Sequence, residues 1–204
     1  MSSSMKNKIF ITASILAMLF QCVPANVFAA TSPTPVVTTS VVIKDENNDK
    51  VLEEYQLDTA NTKEVVDKNG DIIYTTTATA GDSTNLNKFS RASQVGSKTF
   101  HGWKGTVNIS YSESGETANL KSASAKWTHV SGSTAISKSK EFHYGQDLMT
   151  NAHNGYKKFT GLTVSASPNW KKGRYAYGVG NKVGANVCAK ISGKYVYVFC
   201  DVSF

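Results

Sequence analysis

A-N-V-C-A-K-I-S-G-K-Y-V-Y-V-F-C-D-V-S-F runs from Ala185 to Phe204, and its reading decides the fold. Two apolar runs flank Ser192-Gly193-Lys194, a short-range hairpin signal. Strand side chains alternate with period 2, so Ala185, Val187, Ala189 and Ile191 share one face of the first run. Val196, Val198, Cys200, Val202 and Phe204 share a face of the second. A two-residue turn, Ser192-Gly193 or Gly193-Lys194, pairs odd positions of the first strand with even positions of the second. Both apolar sets then lie on one side of the hairpin.

The same alternation recurs upstream. Gly105 to Tyr111 places Val107, Ile109 and Tyr111 on one face, and Leu120 to Val130 does so with Ala123, Ala125 and Trp127. Ser114-Gly115-Glu116 and Ser131-Gly132-Ser133 read as turns. Thr134 to Tyr144 brings Ile136, Phe142 and Tyr144 into phase, Phe159 to Ser167 brings Leu162, Val164 and Ala166, and Arg174 to Val179 brings Tyr175, Tyr177 and Val179. Gly145 to Gly155 reads as a polar loop with a helical turn around 147–152. Short strands at this spacing, with Gly/Ser turns and no long helical period, predict an all-β domain over 98–204, an antiparallel β-sandwich or barrel.

Ahead of it, residues 30–97 form an acidic β-hairpin region and linker. Val41 to Lys44 and Val51 to Leu57 read as strands around D-E-N-N-D, and Glu64 to Asp67 pairs with Asp71 to Thr77 across Lys68-Asn69-Gly70. Thr31 to Thr39 reads as an extended Pro/Thr linker, and Ala80 to Gly96 as a Ser/Asn/Gly/Thr linker containing Arg91. The region holds no Trp or Phe before that linker, too little large apolar surface to fold alone. Residues 31–85 carry four Lys and ten acids; residues 86–204 carry sixteen Lys and Arg and five acids. That split of −6 against +11 within a chain of net +7 points to two parts of opposite charge.

At the N-terminus, Lys6 and Lys8 precede the apolar stretch Ile9 to Phe20, which is short for a membrane span, and Val27-Phe28-Ala29 offers a small-x-small cleavage site. Residues 1–29 therefore read as a signal peptide. Gln21 ahead of Cys22 argues against lipidation. The mature protein is expected to be secreted, with no stable membrane insertion.

K-W-T-H-V-S-G-S (126–133), H-Y-G-Q (143–146), Val183-Gly184-Ala185-Asn186 and the Tyr/Val-rich last strand resemble small secreted proteins of Gram-positive bacteria, mostly uncharacterised. The resemblance covers roughly residues 100–204. It implies a secreted all-β domain and transfers no catalytic residue.

The histidines at 101, 129, 143 and 153 show no zinc-type spacing, no Ser sits in a G-x-S-x-G elbow, and G-V-G-N (178–181) precedes no helix. No catalytic residue, metal or cofactor is assigned. Glu141, His143 and Asp147 are the one cluster suited to hydrolysis, with Glu141 and His143 on one strand face. Cys188 and Cys200 invite a disulfide in an exported chain. The two-residue turn puts them on opposite faces, so a bridge needs a three-residue loop or a bulge. Trp170, after Ser167-Pro168-Asn169 and among Lys171, Lys172, Arg174 and Lys182, is the candidate surface-binding site. Interleaved cations and aromatics suit anionic glycopolymers, nucleic acid or a membrane surface.

The function expected is that of a secreted, non-enzymatic protein binding anionic cell-envelope polymers, such as teichoic acids, through a basic face. Nucleic acid is not the partner expected. One alternative is a bacteriocin-like or toxin precursor with residues 30 to about 95 as an acidic leader. Another is an extracellular hydrolase built on Glu141, His143 and Asp147.

Overall fold

A computed structural model describes residues 34–57, 61–68, 72–81, 86–88 and 100–204. The proposed signal peptide with Cys22, the Asn69-Gly70 turn and Arg91 lie outside the described residues. The strands are β1 (Val36–Asp45), β2 (Val51–Leu57), β3 (Asn61–Val66), β4 (Ile72–Gly81), β5 (Leu86–Lys88), β6 (Trp103–Ser114) and β7 (Thr117–His129). They continue with β8 (Lys140–Asp147), β9 (His153–Phe159), β10 (Thr163–Ala166), β11 (Gly173–Arg174), β12 (Lys182–Ile191) and β13 (Lys194–Ser203). They form two antiparallel sheets, ordered β5-β2-β1-β13-β12-β8-β9 and β10-β7-β6-β4-β3, with β11 also on β7. The sheets stay open and stack face to face; no barrel closes.

The β12–β13 hairpin has the expected register. Ile191 faces Lys194 across Ser192-Gly193, and Val187 faces Val198. Ser192 (φ 49°) and Gly193 (φ 78°) both take the positive φ that suits a two-residue turn to strand twist. Val187, Ile191, Val196, Val198, Cys200 and Val202 are buried. Against them pack Val107, Ile109, Ala123, Ala125 and Trp127 of the facing sheet. Gly105 makes room between the sheets: a Cβ there would lie 2.8 Å from Val198 Cγ2 and 3.1 Å from the Trp127 ring.

Residues 36–81 are woven into both sheets. β1 pairs with β13 over ten positions, from Val36–Ser203 to Asp45–Lys194, and β4 pairs with β6 from Ile73–Ser112 to Gly81–Lys104. The boundary drawn at 97/98 therefore does not divide the sheets. Val36 to Thr39, expected in a linker, belong to β1; Ala80 and Gly81 end β4, and Leu86 to Lys88 form β5. Instead of a polar loop with a helical turn, 145–155 holds the end of β8, a bend with Asn151 at φ 57°, and the start of β9. The strand expected at 174–179 shrinks to Gly173–Arg174: Tyr175 is buried, but Val179 is exposed.

Candidate functional site

Most of the residues singled out in the sequence fall on two surfaces at the β8–β9 side of the sandwich, and a third surface lies beside them.

The first is the loop after β10. Trp170 is half-buried against the core, its ring stacked on Tyr144 (5.7 Å between centroids) and His153 (5.3 Å). It is thus an anchor of the fold rather than the exposed loop ring expected. The loop backbone is fastened at successive carbonyls. Asn119 Nδ2 donates to Trp170 O (2.7 Å), Gln146 Nε2 to Lys171 O (3.0 Å) and Asn151 Nδ2 to Lys172 O (2.8 Å). Gln146 is fully buried; its Oε1 accepts the Leu120 N–H of the facing sheet and so ties the two sheets together. Holding the backbone inward leaves the Lys171 and Lys172 side chains exposed.

The four cations grouped around Trp170 do not converge. Arg174, on β11 at the end of β7, pairs with Glu116 at 3.5 Å. Lys182 lies on the outer face of the seven-stranded sheet, 3.7 Å from Asp201. Lys171 and Lys172 on the Trp170 loop are exposed, as are Lys157 and Lys158 of β9. Lys157 Nζ donates to Ser165 O (2.6 Å), which ties β9 to β10.

The second surface is the outer face of β8. Glu141, His143, Gly145 and Asp147 alternate onto it, as period 2 requires. Glu141 Oε2 lies 3.7 Å from His143 Nε2, and the His143 ring packs on Tyr156 of β9 at 4.7 Å. Burial and a hydrogen bond to Glu141 push the Tyr156 phenol up. Asp147 is six residues from Glu141 on the same strand, about 20 Å at strand rise, so the three do not meet at one reacting atom. Among the described residues no three His, Cys, Asp or Glu are gathered to hold a metal.

The third surface was missed in the sequence. On β13 the residues opposite the core-facing valines are Tyr195, Tyr197 and Phe199, a row of rings on an outer face where polar residues are the norm. Tyr197 and Phe199 stack at 6.0 Å, and Lys44 Nζ sits 5.4 Å above the Tyr197 ring. The signal was present in K-Y-V-Y-V-F, which is apolar or aromatic on both faces. Beside Phe199 a cavity of about 210 Å³ opens over Gly145 and Gly184, which face each other across β8 and β12. Asn154, Lys182, Asn186 and Asp201 line it.

Cys188 and Cys200 are free buried thiols. Register explains it: Cys188 faces Tyr197 on the outer side and Cys200 faces Ala185 on the core side, so the bridge weighed from sequence does not form. Burial pushes both thiols up to about 12.

No family model, curated protein or solved structure matches the chain.

Proposed function

We propose that the protein is an exported, non-enzymatic binding protein that docks on anionic envelope polymers through the flank formed by β9, β10 and the 167–172 loop. The observation that carries the reading is the sorting of charge across the sandwich. Lys157 and Lys158 stand on the edge strand β9 and Lys171 and Lys172 on the loop after β10, while Glu53, Glu54 and Glu64 stand on β2 and β3 toward the other edge of the sheets. A polyanion approaching such a molecule is attracted by one side only, which orients the encounter. The polymer class, teichoic acid or a similar polyphosphate, follows from the expectation of a Gram-positive surface.

The precursor reading gains no support. Shedding residues 30 to about 95 would strip β1 from β13 and β4 from β6. The hydrolase reading loses the convergence it needed, because Asp147 is displaced along β8.

Retention on isolated cell walls, measured at about 50 mM and about 500 mM NaCl, tests the proposal, since the screening length falls severalfold between them. Retention is expected to collapse at high salt. It should also be lost when Lys157, Lys158, Lys171 and Lys172 are all replaced by Glu. Salt-indifferent retention, or retention unchanged in the charge-reversed variant, would overturn it.

A further inference from the structure

Three adjacent cross-strand rows define the outer face beside the basic flank. The middle row is Asn154 (β9), Gly145 (β8), Gly184 (β12) and Asp201 (β13), each aligned with the next. On one side the neighbouring row is Tyr156, His143, Asn186 and Phe199. On the other lie Asp147, Lys182 and Ser203. With two paired glycines the middle row has no side chain at its centre, so the sheet is dented between polar walls. The dent is partly roofed from both ends. A Cβ on Gly145 would lie 2.5 Å from Asn154 Oδ1, and one on Gly184 would overlap the Asp201 carboxylate. Two oxygen acceptors therefore lean inward over a floor of backbone.

We propose that this dent is a carbohydrate subsite that seats a single neutral sugar ring, with Phe199 against its C–H face and Asn154, Asn186, Lys182 and Asp201 on its hydroxyls. Three observations fix the class. At about 210 Å³ the cavity lies below the roughly 300–1,000 Å³ of drug-sized sites, which limits the occupant to one ring or a smaller group. The lining mixes acceptors with donors, as vicinal hydroxyls require, and adds the aromatic wall of Phe199. Its charge excludes an anion: Asp147 and Asp201 outnumber Lys182, whose ammonium is already engaged by Asp201. The phosphate of a polymer thus belongs to the lysine flank and the uncharged sugar to the dent. Tyr197 continues the ring wall along β13 and extends the platform to a neighbouring sugar.

This inference rests on the polymer-binding reading, and the two fail separately. Titration of the nitrogen-15-labelled protein with glucose, N-acetylglucosamine and glycerol 3-phosphate is followed by amide shifts at about 500 mM NaCl, where flank attraction is screened. One of the sugars is expected to shift Gly145, Gly184 and Asn186. Glycerol 3-phosphate, which lacks a ring, should leave them in place. Phe199→Ala should weaken sugar binding at least tenfold, and Phe199→Tyr should restore it. Phe199→Leu, which keeps apolar bulk but lacks a ring face, should not. The flank charge reversal should leave sugar binding intact. If neither sugar shifts these amides, if glycerol 3-phosphate shifts them equally, or if Phe199→Leu binds like the parent, the subsite is refuted. Salt-indifferent wall retention with intact sugar shifts would refute the flank alone.

Discussion

Asp201 is a carboxylate that the fold keeps against its own preference. Burial raises its pKa above the ordinary 3.8, and Lys182 only partly offsets that. A raised folded pKa means that the ionised form is the disfavoured one in the native state. The resulting loss of stability is present at neutral pH and vanishes as pH falls below the unfolded value. Asp201→Asn is therefore expected to melt higher than the parent at pH 7.5, with the difference shrinking to nothing near pH 3.5; thermal denaturation across that range checks it. A group retained in spite of such a penalty is the pattern of a functional site. The thiols give a second test. Cys188 and Cys200 should resist alkylation in the native protein and both react once it is unfolded without reductant, as read by mass spectrometry. A disulfide would keep them unreacted in both states. Parity with a two-residue turn argued against the bridge and left a three-residue loop or a bulge open; the register of β12 and β13 removes that alternative. What Trp170 does was not decidable in this way. Its neighbours in sequence are basic and hydrophilic, but the rings that take it, Tyr144 and His153, come from another hairpin.

At the scale of elements, strands announced themselves where alternation was strong and the turn chemistry local. β6, β7, β12 and β13 were readable because each carries a continuous apolar face. β9, H-N-G-Y-K-K-F, was not. Among the described strands it is an edge strand paired with β8 alone, and its inner side is covered by the Trp170 loop and by Lys157 reaching to β10. Lysines on an edge discourage pairing with another chain, and they erase the hydrophobic pattern by which a strand is recognised. The candidate site suffered the same blindness. The dent exists because Gly145 and Gly184 fall opposite each other, a coincidence of register between β8 and β12 that local sequence does not contain. The role of β1 was hidden for a related reason, since its partner β13 lies about 160 positions away in sequence. A chain consisting of residues 98–204 alone is accordingly expected not to fold. It would lack near-ultraviolet circular dichroism and amide dispersion, because β13 would lose ten paired positions and β6 its neighbour β4. A well-dispersed spectrum from that fragment would contradict this account.

Across the whole molecule, the acidic and basic parts read along the chain do not form two bodies, as the opposite charges suggested; their strands interleave in both sheets. The topology also has a consequence in time. β13, last of the described strands to be made, is the central member of its seven-stranded sheet, flanked by β1 from near the start and β12 from near the end. Until those ten residues are available, β1 and β2 have no continuous sheet to join and β12 has only β8. A chain still emerging from a ribosome, or from a narrow pore, cannot settle this sheet before β13 is out, and remains threadable until then. Loss of Lys194–Ser203 would remove a middle strand rather than trim an edge, so a chain cut before β13 is expected to leave no partly folded survivor.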